Sequence, residues 1–311
     1  MADERATTPV EAQDDAPRKG IRKWVWARYR KSLVRRLLSE YSGITGLTLV
    51  TIVVILAIFS PQIAPYDSSA IDIPSKLESP SAQHPMGTDH LGRDLLSRLI
   101  FGARIALIVS IPAILFGMVF ASILGTICGY SRGFLGSVIL VAFDTVRSFP
   151  TILFAIAILA MSGGSSITTL IVVLGITRIP TFGRVVRAQT VRVRGNEYVL
   201  AAQSIGSSTP RILMRHILPN AIGPVFIQGA MDIPVMITFE AALSFLGLGV
   251  QPPTPSWGAI LQVGYDYIRT TPWIVIFGGL FLAVTTLGFT LLGEALRDNL
   301  DPRLRKDLRQ A

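Results

Sequence analysis

The sequence predicts an all-α polytopic membrane protein with six transmembrane helices. Half of its 311 residues are apolar and only 16% are charged, whereas soluble domains carry about 25% charged residues. The apolar residues also form five charge-free runs, which cover 43–66, 105–131, 148–177, 241–265 and 270–293. Each run is long enough for a membrane helix, which needs about 20 apolar residues. This pattern excludes a soluble enzyme.

The N-terminal region, residues 1–42, is predicted to be a cytoplasmic tail followed by a basic amphipathic helix. Between Gly20 and Tyr41, apolar residues recur every four positions, and Arg and Lys occupy the rest of the helical surface. This distribution favours a helix at the membrane interface, with a helix packed on a cytoplasmic partner as the alternative. The first transmembrane helix is expected over 43–65, where Pro61 and Pro65 end it.

A polar segment, 66–102, separates the first span from the second. Asp94 and Arg98 within it have the i,i+4 spacing of a helical ion pair, which favours a short helix there. A transmembrane core is predicted over 103–296, and a cytoplasmic tail over 297–311. The expected helices of the core are 103–130, 136–161, 167–187, 217–249 and 272–296, with a short amphipathic stretch at 257–269. Asp144 and Arg147 are three positions apart and are expected to pair.

The distribution of positive charge predicts the orientation of the chain. Six spans place both termini on one side, and that side would hold 24 of the 29 Lys and Arg residues. Because cytoplasmic segments are enriched in Lys and Arg, we expect both termini to be cytoplasmic. Segments 66–102 and 250–271 are then extracytoplasmic. We attribute the net charge of +9 to the cytoplasmic segments that orient the chain in the lipid bilayer. We therefore expect no nucleic acid as a partner.

Two motifs of common catalytic sites are absent from the sequence. It contains no Gly-Lys-Ser/Thr phosphate loop and no His-Glu-x-x-His. The single Cys128 forms no intrachain disulfide, and the three His residues are too scattered for a metal site of familiar spacing. We therefore expect no catalytic residues, metal or cofactor on this chain, so any energy would come from a partner.

One cytoplasmic segment, Glu197–Asn220, has the pattern of a helix, a corner and a second helix. Asn196 is expected to cap the first helix, which contains the small pair Ala201 and Ala202. Gly206 can adopt the left-handed conformation that ends it. Thr209 is then expected as the N-cap of the second helix, with Pro210 at its first position. A short helix held across the membrane surface would suit docking of a cytosolic protein, whereas the simpler interpretation is an ordinary basic loop within 188–216.

Four stretches together resemble a known family. Ala201-Ala202, Gly206 and Leu218-Pro219 are spaced like the cytoplasmic loop of bacterial ABC importer permeases, with Leu200 where that family has Glu. The other stretches are Gly87–Asp94 with Gly102–Ile105, Glu240–Pro253 with Ser256–Gly258, and Leu296–Arg303. They are similar to the outer loop, fifth helix and C-terminal tail of the C-type permease subunit of dipeptide and oligopeptide importers. The resemblance covers about residues 43–305.

This resemblance implies the type I ABC importer permease fold, a location in the bacterial inner membrane, and a set of partners. They are a second homologous permease subunit, two cytosolic ATPase subunits and an extracytoplasmic substrate-binding protein. The chain would form the path for di- and oligopeptides, and the ATP would be hydrolysed on the partners. The residues implied in coupling to the ATPases are Glu197, Ala201, Ala202, Gly206, Pro210, Arg211, Leu218 and Pro219.

Two acidic residues in the fifth span are further candidates. Asp232 and Glu240 can line the translocation path, pair with an Arg of the second permease, or hold an outer gate, because intramembrane charges are costly unless they serve a function. The substrate also stays open, with nickel chelates, glutathione, opines and oligosaccharides as alternatives to peptides. Outside transport, the alternatives are an intramembrane enzyme and a non-transport membrane anchor.

Overall fold

The computed structural model describes residues 40–131, 133–162 and 164–300, and within them it is built from α-helices. The helices are α1 Tyr41–Ile58, α2 Ser60–Ile63, α3 Leu95–Tyr130, α4 Phe134–Ser148, α5 Thr151–Met161, α6 Ile167–Arg194, α7 Glu197–Ser204, α8 Thr209–Ile212, α9 Leu218–Ala221, α10 Gly223–Phe245, α11 Trp257–Asp266 and α12 Trp273–Leu300. A 3₁₀ turn lies at Ile73–Ser75 and a π-turn at Leu213–Ile217. The predicted all-α class is confirmed. The amphipathic helix expected before Tyr41 and most of the C-terminal tail lie outside the described residues.

Five helices, α1, α3, α6, α10 and α12, are long and apolar enough to cross a membrane, and α4 with α5 can form a sixth, broken span. The continuous helix expected over 136–161 is wrong, because α4 and α5 meet at an angle of 94°. Phe149 is extended (φ −92°, ψ 137°) and Pro150 precedes α5. A residue before proline disfavours the helical conformation, so the Phe149-Pro150 pair accounts for the break.

The centre of the fold is the contact between α3 and α6. A Cβ atom at Gly117 would lie 2.9 Å from the Gly175 carbonyl oxygen, and one at Gly125 would lie 2.6 Å from that of Gly183. The two backbones therefore approach so closely that only glycine fits, as in other membrane helix pairs. Around this contact the fully buried side chains of Val109, Leu174, Phe182, Val186 and others form one apolar core.

Several helix boundaries differ from the prediction. Helix α3 begins at Leu95 instead of 103, because the Asp94 carboxylate accepts a hydrogen bond from the Ser97 amide (2.8 Å) and caps it. Helix α6 continues to Arg194 instead of ending near 187. The fifth span is shorter than the predicted 217–249, since it is interrupted at Ile222 and ends at Phe245.

The segment before α3 is held by charges that differ from the expected pair. Asp94 lies 2.9 Å from His84, whereas Arg98 lies 3.3 Å from Asp89 and also donates to the Ser68 carbonyl. The predicted pairing of Asp94 with Arg98 is therefore wrong, although the helix it was used to predict exists. Arg93 lies 2.7 Å from Asp89 as well, so one buried carboxylate joins two guanidinium groups.

Candidate coupling segment and intramembrane charges

Helix α7 ends as the sequence predicts, whereas the side-chain cap predicted at its start does not form. Asn196 is the N-cap residue in extended conformation, although its side chain does not cap the helix. At the other end Gly206 has φ +74°. The Gly206 amide donates to Gln203 O (3.0 Å) and the Ser207 amide donates to Ala202 O (3.1 Å). These two bonds form a Schellman motif, which stops a helix and turns the chain. The left-handed conformation expected at Gly206 is confirmed.

The second helix of the segment starts one residue earlier than expected. Its N-cap residue is Ser208 instead of Thr209, and Pro210 occupies the second helical position. Proline is tolerated there because amides of the first turn have no helical acceptor. Helix α8 continues through the π-turn Leu213–Ile217 into α9, in which Pro219 follows Leu218. The segment is thus two short helices joined by the corner at 205–208.

One face of the segment is anchored to the ends of two spans. Val199, Ala202, Ile212 and Ile217 are buried in a small apolar cluster with Val193 of α6. At the end of α3, Tyr130 accepts a hydrogen bond from Gln203 at its hydroxyl (3.1 Å) and from Arg194 at its carbonyl oxygen (2.8 Å). The Arg194 guanidinium also lies 5.2 Å from the centre of the Tyr130 ring. A displacement of α7 therefore acts on both α3 and α6.

The exposed residues of the segment include three large apolar side chains. Leu200 is 50% exposed, Ile205 82% and Met214 67%. Ala201 is exposed next to them, whereas its neighbour Ala202 is buried. Of the other residues singled out in the sequence, Leu218 is half-buried. The remaining five are exposed: Glu197, Gly206, Pro210, Arg211 and Pro219. Clustered apolar side chains on a surface indicate a protein contact.

Asp232 of α10 is buried and faces a cation of the same chain. Its Oδ2 lies 3.4 Å from Nη1 of Arg178 on α6, and its Oδ1 accepts a hydrogen bond from Gln228 (3.2 Å). The Arg178 guanidinium also lies 5.2 Å from the centre of the Phe239 ring. Arg178 was not singled out in the sequence, since it is distant from Asp232 along the chain. An arginine inside an apolar run is the signal that could have found it.

Glu240 lies two turns along α10 from Asp232 and is fully buried. Its Oε1 accepts a hydrogen bond from Ser244 (2.7 Å). Its Oε2 has no hydrogen-bond partner in the part of the chain that the structure describes. The structure therefore does not bring Asp232 and Glu240 together: one is ion-paired and the other is enclosed near the C-terminal end of its helix.

The expected pairing of Asp144 with Arg147 is wrong. Asp144 of α4 instead pairs with Arg184 of α6. Arg147 stands in the last turn of α4, just before the break, and is exposed. It lines a cleft of about 500 Å³ at the bend between α4 and α5, whose other walls include Thr151 and Arg178. The sequence analysis missed this cleft because it treated α4 and α5 as one helix.

These features define a class: a polytopic membrane protein whose spans are joined by a protruding helix-corner-helix segment, as in the permease subunits of importers. Comparison with known proteins identifies the family. The sequence model of the "binding-protein-dependent transport system inner membrane component" family matches residues 121–306, and that of the "N-terminal TM domain of oligopeptide transport permease C" matches residues 28–80. The chain belongs to the first of these families, and it has the type I ABC importer permease fold.

Individual relatives agree with this assignment. The dipeptide transport system permease protein DppC of Alkalihalophilus pseudofirmus is 36% identical over 87% of this chain and 89% of its own length. The oligopeptide transport system permease protein OppC of Bacillus subtilis is 34% identical over 89% and 90%. The glutathione transport system permease protein GsiD of Escherichia coli is 39% identical over 90% of both chains. The predicted resemblance to C-type permeases of peptide importers is confirmed.

Proposed function

We propose that this chain is the membrane-spanning subunit of an ATP-driven importer of di- and oligopeptides. An extracytoplasmic binding protein delivers the peptide, a second homologous permease completes the path, and two cytosolic ATPase subunits hydrolyse the ATP. Both termini are cytoplasmic, in accordance with the excess of Lys and Arg on that side. The named substrates of the relatives, dipeptides, oligopeptides and glutathione, support peptides as the cargo.

The observation that carries this proposal is the two-faced segment 197–219. Its exposed face, with Leu200, Ile205 and Met214, is the docking surface for an ATPase subunit. Its buried face holds Tyr130 of α3 and Val193 of α6. Closure of the ATPase dimer displaces the docked segment, and this contact passes the displacement to both helices. Transport follows as a shift of population between inward-open and outward-open states.

Glutathione is the second candidate substrate. The GsiD relatives are as similar to this chain as the dipeptide and oligopeptide permeases. Because glutathione is itself a tripeptide, the same path could accept both. Competition between glutathione and dipeptides for the binding protein encoded with this chain would separate the two candidates.

The test is reconstitution of this chain with the second permease, the ATPases and the binding protein in vesicles. Peptide accumulation that requires ATP and the binding protein, together with ATPase stimulation by the loaded binding protein, is expected. The permease chain alone should hydrolyse no ATP. Absence of stimulation and of accumulation for every peptide tested would contradict the proposed function.

Orientation has its own test in the outer segment. Ser81 is exposed within 66–102, so Ser81→Cys should react with an impermeant thiol reagent on intact cells. Cys128 is buried, and the unmodified chain therefore serves as the background control. Reaction of Ser81→Cys only after permeabilisation would reverse the proposed topology.

A further inference from the structure

The cleft at the bend between α4 and α5 is a membrane-embedded cavity with positive charge. It encloses about 500 Å³, and the two ionisable residues that line it are Arg147 and Arg178. Arg178 lies eleven residues after the start of α6, which is about 16 Å along the helix and near the middle of a bilayer. Neither Asp232 nor Glu240 lines the cleft, so its walls carry cations without a lining acid.

The two arginines differ in how far their charge is compensated. Arg178 is paired with Asp232, yet its Nε atom is buried without a hydrogen-bond partner among the described residues. Arg147 is exposed and makes no ion pair within residues 40–131, 133–162 and 164–300. A guanidinium group at this depth is too costly to face lipid. Arg147 must therefore face a water-filled path, a ligand or another subunit.

Further donors converge on the same cleft. Thr181 of α6 and Thr151 of α5 line it with hydroxyl groups, whereas the hydroxyls of Thr177 and Ser148, which also line it, already donate to backbone carbonyls. Helix α5 begins at Thr151 without a side-chain cap, and the amides of its first three residues donate no hydrogen bond in the described part of the chain. Uncapped amides at a helix start favour an anion. Two guanidinium groups, hydroxyls and a helix start thus present hydrogen-bond donors to one cavity.

We propose that this cleft is a subsite for a carboxylate group of the transported peptide. The inference rests on the proposed function and adds to it the chemical class of the group recognised inside the membrane. Arginine binds carboxylates through two parallel N–H donors, and a peptide with a free C terminus or an acidic side chain supplies that group. The ion pair of Arg178 with Asp232 holds one cation in place, and Arg147 supplies the uncompensated charge.

The first test measures the charge of the cleft independently of transport. In the assembled complex, Thr151→Cys is treated with two thiosulfonates of similar size, one bearing a sulfonate and one a trimethylammonium group. The measured quantity is the ratio of the anionic reagent's reaction rate to that of the cationic reagent. This rate ratio should be higher at Thr151→Cys than with free cysteine in solution. Adding Arg147→Gln should lower this rate ratio about three- to tenfold, the effect of one nearby unit charge in a largely aqueous site. Arg104→Gln, at an exposed arginine outside the cleft, is the matched control.

The second test measures transport in vesicles by the full importer. An equimolar mixture of di- and tripeptides and the same mixture amidated at the C terminus are supplied, and lumenal peptides are quantified by mass spectrometry. Arg147→Gln should lower accumulation of the free acids about tenfold or more, in keeping with a lost charged hydrogen bond, and Arg147→Lys should retain part of it. The double variant Arg178→Gln/Asp232→Asn, which leaves no unpaired charge, should also lower it.

The outcomes separate this inference from the proposed function. If the wild-type importer accumulates no peptide and the ATPase is not stimulated, the proposed function fails. If it accumulates peptides but Arg147→Gln changes neither the acid-to-amide preference nor the reagent ratio, the subsite is refuted. If Thr151→Cys reacts with neither reagent, or Arg147→Gln prevents assembly with the second permease, the cleft is a subunit contact and the subsite is equally refuted.

Discussion

The corner at Gly206 allows a sharp test of the coupling mechanism, because its substitution isolates backbone conformation from packing. Gly206 has φ +74°, and an added Cβ would meet no atom within 4 Å. Gly206→Ala therefore adds no clash with neighbouring residues, and its cost is the left-handed conformation itself, about 1–2 kcal/mol. That free energy corresponds to an about 5- to 30-fold loss in the population of the native corner relative to alternatives. Gly206→Val should cost more because its side chain is branched.

The assay is ATPase stimulation by loaded binding protein, measured together with uptake in vesicles that contain the complete importer. Gly206→Ala should lower both, while the amount of assembled complex stays close to wild type. Gly195→Ala is the matched control, because Gly195 lies just before α7 with φ −79° and has room for a Cβ. Gly206→Asn should recover much of the loss, since asparagine tolerates positive φ. Wild-type coupling in both Gly206→Ala and Gly206→Val would refute the role of this corner.

Three further predictions concern neighbouring features. Ala201→Trp should release the ATPase from a folded complex because Ala201 is exposed, whereas Ala202→Trp should lower the yield of folded chain because Ala202 is buried. Co-purification of the ATPase and the yield of the complex distinguish the two variants. Equal effects of both would contradict the assignment of one exposed and one buried face. Arg178→Gln should destabilise the complex by about 3–5 kcal/mol, since it leaves Asp232 buried and unpaired. Adding Asp232→Asn should restore thermal stability. If Arg178→Gln alone were as stable as wild type, the ion pair would be contradicted. Burial lowers the pKa of His90, and the nearby cations that include Arg93 and Arg98 add to this effect while Asp89 opposes it. Protonation of His90 therefore opposes folding, and the stability of segment 66–102 should fall as the pH drops below about 6.5. His90→Gln should remove this dependence in hydrogen exchange measured from pH 5 to 7.5, and an unchanged dependence would exclude His90 as its source.

The spans were predictable from the sequence because each one depends on the length of its own apolar run, without reference to the rest of the fold. The corner at Gly206 was predictable for a similar reason, since the stop and start signals lie within a few residues of one another. The broken span was less accessible. Its cause, Phe149-Pro150, is visible in the sequence, but the length of the surrounding apolar stretch favoured one continuous helix.

Ion pairs were the least predictable feature. Spacing along one helix indicates which residues can form a pair, whereas packing between elements determines which pairs form. Asp94 and Arg98 have helical spacing, yet Asp94 serves as a helix cap and contacts His84, and Arg98 contacts Asp89. Likewise Asp144 pairs with Arg184 of the neighbouring helix α6 instead of Arg147 of its own helix α4. The cleft was missed for the same reasons, because it lies at the unpredicted bend and is lined by Arg147, which has no ion-pair partner among the described residues.

The glycine contacts between α3 and α6 determine which parts of the molecule can flex. Helix α3 has 36 residues, a length of about 54 Å, and runs from the capped Asp94 in the outer segment to Tyr130 beside the corner. Backbones that touch at Gly117 and Gly125 cannot slide past each other without breaking tight packing. We therefore expect the two helices to move together, which under the proposed function links the proposed ATPase contact at one end of α3 to the proposed binding-protein contact at the other. The break at Phe149-Pro150 separates α4 from α5, so we expect a joint movement of α3 and α6 to change the space beside Arg147.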